Sequence, residues 1–156
     1  PFYLGARFDS CCSNTTETQV MTDNDIINKV KELGLPHDSY VVFGSCPMAL
    51  AGIRESSDID MLVSEEVFAG LQKSGWKILD KGGKDKPLVN GNFEAHKSWE
   101  FSHYNPSLSH LLETADIVDD VPFASLDEVR KWKAASARPK DIKDIELIDK
   151  HLATKT

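Results

Sequence analysis

Two aspartates, Asp58 and Asp60, stand two residues apart in the segment SDIDMLV, where polar and apolar residues alternate. Alternation of this kind is typical of a β-strand, in which side chains two positions apart point to the same face. The pattern places both carboxylates on one face, with Ile59 and Met61 on the other. Like charges held this close repel each other unless a cation lies between them, and oxygen ligands suit Mg²⁺. We therefore predict that Asp58 and Asp60 bind a magnesium ion.

Gly44 and Ser45 follow an apolar run of strand type at residues 41–43 and precede the short helix predicted at 46–52. Mg²⁺ usually takes one or two protein carboxylates together with substrate phosphates, so the metal implies a nucleotide. Gly44 lets a ligand approach the backbone, the helix N-terminus offers N–H groups, and the Ser45 hydroxyl can donate to a phosphate oxygen. The structural alternative is a common Gly-Ser turn beside a solvated strand edge. The two features together, in this order, favour a phosphate and metal site.

Capping patterns and periodicity predict the elements that must position these residues. Thr22 with Asp25 forms a capping-box pattern, Ser125 with Glu128 forms another, and Asn90-Gly91 is a hairpin signal. In the first half of the chain we predict a helix from 22 to 34, a strand at 41–43, a short helix at 46–52, a strand at 58–63, a helix at 64–73 and a strand at 76–79. A hairpin around 90–91 with a meander of antiparallel strands comes next, and helices follow after 106, near 126 and around 142–152. The apolar face of the last helix would contain Ile142, Ile145, Ile148 and Leu152.

Composition suits one compact domain, since the chain has 156 residues and 40% hydrophobic content. We predict a tail or remnant at residues 1–20 and a single domain at 21–156. The net charge of −7 argues against broad attraction to nucleic acid or to an anionic membrane. No apolar run approaches the roughly 18 to 20 residues of a membrane span, and the first residues lack the order of a signal peptide. We expect a cytoplasmic protein with no membrane partner.

The segment FGSCPMALAGIRESSDIDMLV resembles the signature of the nucleotidyltransferase superfamily with the DNA polymerase β-like fold, in which hG[GS] is followed, after a short helix, by [DE]h[DE]h. The segment FASLDEVRKWKAASARPKDIKDIELI is similar to the tail of small stand-alone members related to abortive-infection toxins, a Lys, a short gap and R-x-K-D-x-x-D. Cys46 and Pro47 depart from the pattern. The resemblance spans about residues 40–152 and implies an α+β nucleotidyltransferase fold, with a mixed, mostly antiparallel sheet flanked by helices.

By this resemblance, Gly44 and Ser45 hold the triphosphate, and Asp58 and Asp60 bind Mg²⁺ as catalytic residues. A third carboxylate on a later strand helps to activate the attacking hydroxyl. The candidates are Glu94 and Glu100, which would share a face with His96 and Ser98 if the strand is continuous. Glu94 is favoured because it follows the Asn90-Gly91 turn in a clear strand context.

The tail motif matches Lys133, Arg138, Lys140, Asp141 and Asp144. The resemblance implies that the three cations contribute to the nucleotide site, while Asp141 or Asp144 orients them or contacts the substrate. The alternative is an ordinary charged helix face, in which the two aspartates complement the helix dipole. These readings stay open.

Three further predictions concern residues near these motifs. Arg54 is either a phosphate contact or a salt-bridge partner of Glu55 or Asp58. His96 and His103 have no second His or Cys at metal-ligand spacing, so we expect partly exposed strand residues. The three tryptophans are expected to pack in or beside the core rather than stack on bases.

The resulting hypothesis is an enzyme, a Mg²⁺-dependent nucleotidyltransferase that transfers a nucleoside monophosphate from an NTP to a hydroxyl acceptor. The acceptor would be a small molecule, an RNA end or a protein hydroxyl. The alternative is a catalytically inactive nucleotide-binding or antitoxin-like module of the same fold, with a cognate toxin or antitoxin protein as partner. A cluster of three carboxylates, completed by Glu94 or Glu100, would favour the enzyme.

Overall fold

The computed structural model describes residues 20–80, 82–83 and 86–154. The predicted tail lies outside the described residues, apart from its last position. The helices are α1 (Asp23–Glu32), α2 (Cys46–Leu50), α3 (Glu65–Lys73), α4 (Leu108–Glu113), α5 (Leu126–Ser136) and α6 (Pro139–Ala153). The strands are β1 (Tyr40–Phe43), β2 (Ile59–Val63), β3 (Lys77–Ile78), β4 (Leu88–Asn90), β5 (Phe93–His96), β6 (Asp116–Val118) and β7 (Val121–Phe123).

These strands form one seven-stranded sheet in the order β3-β4-β5-β2-β1-β7-β6. The two central pairings of β2 differ in direction, because β2 is antiparallel to β1 and parallel to β5. β1 is also parallel to β7, whereas β3–β4, β4–β5 and β6–β7 are antiparallel. The predicted α+β class, with a mixed sheet flanked by helices, is therefore confirmed.

Alternate residues of the central strands feed two separate cores, one on each face of the sheet. From β1, Tyr40 and Val42 enter the first core, and Val41 and Phe43 enter the second. The first core is covered by α1 and α3, and the second by α4, α5 and α6. Burial of both faces explains why β1 is apolar throughout, and the alternation gives the two faces of β2 different roles.

The predicted caps formed, and the predicted hairpin formed with its turn one residue later than the Asn90-Gly91 pair. The Thr22 hydroxyl accepts a hydrogen bond from the Asp25 N–H at 3.1 Å, and the Asp25 carboxylate accepts one from the Thr22 N–H at 3.0 Å. The Ser64 hydroxyl caps α3 at the Val67 N–H, 3.2 Å away. In the β4–β5 hairpin Asn90 pairs with Phe93, so the turn residues are Gly91, with a φ of +60°, and the residue after it.

The predicted antiparallel meander formed from β3, β4 and β5, whereas the position predicted for Ile142 is wrong. The meander ends at β5, which lies parallel to β2, and the next strand pair, β6–β7, forms at the other side of the sheet. The β6–β7 turn uses Asp119 and Asp120, both in the left-handed region at φ of 51° and 67°, which aspartate tolerates. Ile142 is 48% exposed rather than on the buried face of α6.

Within the described ranges, no helix combines the length and the apolar character that crossing a membrane requires.

Candidate functional site

Asp60 and Glu94 are direct neighbours in the sheet. They are register partners across the parallel pair β2–β5, and His96 follows two residues after Glu94 on β5. The alternate residues Ile59, Met61, Phe93 and Ala95 belong to the first core. The three polar side chains therefore share the opposite face of the sheet, beside the second core.

The side chains of Asp60, Glu94 and His96, here called the ligand group, come close enough to share one ion. One ligand atom from each lies within 4.8 Å of the others, and Glu94 Oε1 is 3.3 Å from His96 Nε2. Asp58 is not part of this group. It is an exposed residue immediately before β2, although it lines the same cavity.

Gly44 accommodates the Asp60 carboxylate. A Cβ built on Gly44 would lie 2.3 Å from Asp60 Oδ2, and Gly44 has a φ of +69°. A larger residue would therefore collide with the carboxylate and strain the backbone. The glycine of the predicted phosphate turn thus shapes the acidic part of the site, and the neighbouring Ser45 lines the cavity itself.

The donor set fits a divalent cation. The carboxylate oxygens of Asp60 and Glu94, with Asp58 on the same cavity wall, are the hard ligands that Mg²⁺ prefers. The close seat of Asp60 against Gly44 holds one of these carboxylates in place. The imidazole of His96 is a nitrogen donor, which magnesium sites do not require.

The ligand group opens into a cavity of about 350 Å³ with three kinds of wall. Its residues are the carboxylates Asp58, Asp60 and Glu94, the cations Arg54, Lys133, Arg138 and Lys140, the aromatic residues Trp99, Phe101 and Trp132, and Ser45, Ser57 and His96. All the nucleotide-site residues predicted from the sequence line this cavity, except Gly44, which lies behind Asp60. Basic, acidic and aromatic side chains therefore line the same cavity.

Two buried aspartates hold three of the four cations of the cavity. Lys133 Nζ lies 2.9 Å from Asp144 and 3.4 Å from Asp141, and Arg138 donates to Asp141 through Nε at 2.7 Å and Nη2 at 3.1 Å. Arg54 Nη1 lies 2.8 Å from Asp144. Asp141 is 0% and Asp144 4% exposed, and neither lines the cavity. Of the alternatives from the sequence, this geometry favours the orienting role over substrate contact.

Asp141 is held in its charged form. Burial would raise its pKa, but hydrogen bonds from Arg138 and Ser136 and the charge of Lys133 outweigh it and lower the pKa from 3.8 to about 2. The pairing is therefore charged at neutral pH, and Asp141 anchors the first turn of α6 to α5.

The salt-bridge partners predicted for Arg54 are wrong. Arg54 pairs with Asp144, ninety residues away in sequence, and its Nε donates to the backbone carbonyl of Glu55 at 3.3 Å. Its side chain is 40% exposed at the cavity wall, a position that allows a phosphate contact. Arg54 and Lys133 are thus joined through one buried carboxylate.

Short hydrogen bonds connect Ser45 to the start of β2. Ser45 Oγ lies 2.8 Å from Ser56 Oγ, and Ser56 Oγ donates to the Asp58 carbonyl at 2.9 Å. Beneath them Cys46 is buried, and burial raises the pKa of its thiol to about 12. The thiol is therefore not a nucleophile of this site.

Of the two candidates for the third carboxylate, Glu94 lines the cavity and Glu100 does not. The strand that would carry Glu100 on the same face ends at His96, and Glu100 is exposed. His96 is 7% exposed, so its prediction as a partly exposed residue is wrong. Its even spacing from Glu94 was the signal that could have placed it in the site. His103 is exposed, but in a turn rather than a strand.

The tryptophans pack as predicted, and two of them also form the aromatic wall. Trp99 stacks on Phe43 with ring centroids 4.7 Å apart, and Trp132 meets Trp99 edge-on at 5.1 Å. Phe101 lies 5.9 Å from Trp132 and completes the wall. The rings are thus fixed by one another and by the second core.

Comparison of the chain with known proteins found no matching family model, no matching curated protein and no matching solved structure.

Proposed function

We propose that this chain binds a metal–nucleoside triphosphate in the cavity and transfers the nucleoside monophosphate to a hydroxyl acceptor, with the nucleotidyltransferase fold that its motifs resemble. One observation carries the proposal. Asp60, seated against Gly44, faces Glu94 across two parallel strands, in a cavity that also holds Arg54, Lys133 and Arg138. Metal-binding carboxylates and phosphate-binding cations are thus within reach of a single ligand.

The arrangement of charge suits a triphosphate. The cations come from three parts of the chain: Arg54 before β2, Lys133 on α5, and Arg138 with Lys140 at the start of α6. Arg138 and Lys133 are oriented by buried Asp141, which preorganises their positions before a ligand arrives. Guanidinium groups bind phosphate oxygens in a fixed fork, so we assign the β- and γ-phosphates to this wall.

The residues that would hold the metal are Asp60 and Glu94, and Asp58, on the same cavity wall but outside the ligand group, would join them only if its side chain moved toward the ion. When bound, the ion would neutralise charge on the phosphate oxygens and lower the pKa of the attacking hydroxyl. Ser45 lines the cavity, and its hydroxyl would donate to a phosphate oxygen in exchange for its present hydrogen bond to Ser56 Oγ.

The reaction forms a bond between the acceptor oxygen and the α-phosphorus and breaks the bond from the α-phosphorus to the bridging oxygen. The acceptor proton passes to Glu94, the carboxylate of the neighbouring strand. Pyrophosphate leaves along the wall of Arg54, Arg138 and Lys140, which stabilises its charge. The ring wall, in which Trp99 and Trp132 meet edge-on, then offers an apolar surface to the base or to the acceptor.

The position of Glu94 favours an enzyme over an inactive binding module. A module that only senses nucleotide needs no carboxylate beside Asp58 and Asp60, yet Glu94 lines the same cavity. A cytoplasmic location would suit such an enzyme, because NTPs and Mg²⁺ are available there.

Calorimetric titration with the four NTPs and Mg²⁺ tests the proposal. Wild-type protein should bind at least one NTP only when the metal is present, and Asp60→Asn should weaken binding at least about tenfold. Asp116→Asn is the matched control, because Asp116 is an exposed strand aspartate that does not line the cavity. Pyrophosphate release with small-molecule, RNA and protein acceptors would then identify the acceptor. Equal binding by Asp60→Asn and the wild type would refute the proposed site.

A further inference from the structure

His96 is a buried imidazole that a magnesium site leaves without a role. Its ring makes a T-shaped contact with Trp99, with centroids 4.7 Å apart and an interplanar angle of 76°. Its Nε2 is directed to the acidic face of the sheet, 3.3 Å from Glu94 Oε1. The packing fixes the ring with a nitrogen beside the carboxylates.

The ligand group is close to the spacing of a mixed oxygen and nitrogen metal site. Metal bonds to carboxylate oxygen and imidazole nitrogen are about 2.0–2.2 Å long, so two ligands of one ion lie at most about 4.4 Å apart. The ligand atoms of Asp60, Glu94 and His96 all lie within 4.8 Å of one another, so small side-chain rotations bring them to this spacing. Gly44 provides the second observation, because it lets Asp60 approach the group where any side chain would collide.

We propose that the ligand group selects a first-row divalent transition metal, with His96 as a nitrogen ligand beside Asp60 and Glu94. Divalent first-row ions gain affinity from an imidazole donor, whereas Mg²⁺ strongly prefers oxygen and gains little. The inference deepens the proposed function and rests on it for the substrate, because the same ion would carry the triphosphate. Metal binding by the ligand group can nevertheless be measured without a nucleotide.

The competing role for His96 is a hydrogen bond to Glu94 that only positions this carboxylate. That role predicts no metal–nitrogen bond and a preference among divalent ions that does not depend on His96. The two roles therefore differ in spectroscopy as well as in affinity.

The test uses Mn²⁺ as the probe, with protein that carries no histidine tag and has been freed of metal by a chelator. Pulsed electron paramagnetic resonance of the Mn²⁺ complex should show coupling to a directly bound ¹⁴N nucleus. Competition titrations should show Mn²⁺ binding at least tenfold tighter than Mg²⁺. His96→Gln should lose the ¹⁴N coupling and most of this preference, while His103→Gln, at an exposed position outside the cavity, should keep both.

Bound Mn²⁺ without ¹⁴N coupling, or a preference unchanged by His96→Gln, would overturn the inference, and so would the absence of metal binding. The wild-type spectrum decides the question even if His96→Gln fails to fold. Mg²⁺-dependent NTP binding without ¹⁴N coupling would leave the proposed function in place. A ¹⁴N-coupled metal in a protein that binds no NTP would instead refute the proposed function and retain the metal site.

Discussion

At the scale of single residues, Gly44 is the position at which we expect substitution to be tolerated least. Its left-handed φ and its contact with Asp60 are separate constraints, and alanine violates both. We predict that Gly44→Ala loses metal-dependent NTP binding at least about tenfold, because the added Cβ displaces the Asp60 carboxylate. The strained φ alone should cost about 1–2 kcal/mol of unfolding free energy. Calorimetry and urea unfolding would measure the two effects.

Gly52→Ala separates these two constraints. Gly52 has a φ of +76°, but a Cβ there would meet no atom within 4 Å. Gly52→Ala should therefore lower the free energy of unfolding through its strained φ and leave NTP binding unchanged. If both alanine variants lose binding equally, the contact between Gly44 and Asp60 is not what shapes the site.

Glu94 and Glu100 form a natural pair for testing the third carboxylate. Glu94→Gln keeps the shape of the side chain but removes the carboxylate that we propose accepts the acceptor proton, so turnover should fall about 100-fold or more. Glu100→Gln, six residues later and outside the cavity, should leave turnover unchanged. Steady-state pyrophosphate release gives both values. A similar loss in the two variants would remove Glu94 from the mechanism.

At the scale of elements, the start of α6 is held by charge rather than by apolar packing. Its first buried residues are Asp141 and Asp144, which pair with Lys133 on α5 and with the cavity arginines. Apolar periodicity could not predict this face, because a carboxylate is buried only where a distant cation meets it. Ile142 was assigned to the core for the same reason, although it faces outward.

The pH dependence of stability should reveal the Asp141 pairing. The pKa of Asp141 is lowered in the folded chain, so its contribution to stability is complete above its ordinary pKa near 3.8 and is lost as pH falls towards about 2. A shift of this size corresponds to about 2 kcal/mol. Asp141→Asn should be less stable than the wild type at pH 7, and the difference should shrink between pH 4 and pH 2. Urea unfolding at several pH values measures it.

Asp149→Asn is the control on the same helix. Asp149 is exposed and pairs with exposed Arg130 at 2.6 Å, so its loss should change stability little at any pH. A pH dependence of Asp141→Asn that runs parallel to the wild type would mean that the Asp141 pairing does not stabilise the fold.

Much of the local structure could be predicted because its causes are local. Capping hydroxyls at Thr22 and Ser64, the apolar alternation of β2 and the glycine of the β4–β5 turn act within a few residues. The β6–β7 hairpin was missed because its turn has two aspartates in the left-handed conformation and no glycine. The parallel pairing of β5 with β2 was not predicted, because it is set by the whole sheet.

At the scale of the whole molecule, the site exists only where distant segments meet. Asp60 and Glu94 were predicted separately from local patterns. Their pairing across β2 and β5 is a long-range contact that local patterns do not encode, and the same pairing brings His96 into the site. The pairing of Arg54 with Asp144 likewise joins two ends of the domain. Sequence motifs therefore predicted most of the cavity residues, whereas the grouping of Asp60 and Glu94 with His96 became visible only from the sheet topology.

A ligand that bridges these segments should stabilise the whole fold. The cavity is bounded by β2, β5, α5 and the start of α6, so an unfolded chain cannot offer the same contacts. At a free concentration of 100 times its dissociation constant, metal–NTP should add about 2.7 kcal/mol, which raises Tm by roughly 5–10 °C for a chain of this size. Thermal denaturation with and without ligand measures this shift.

Asp60→Asn should lose the shift in Tm and Asp116→Asn should keep it, since only the first removes a cavity carboxylate. A shift that persists for NTP in excess chelator would show that the nucleotide binds without the ion, contrary to the role given to Asp60 and Glu94.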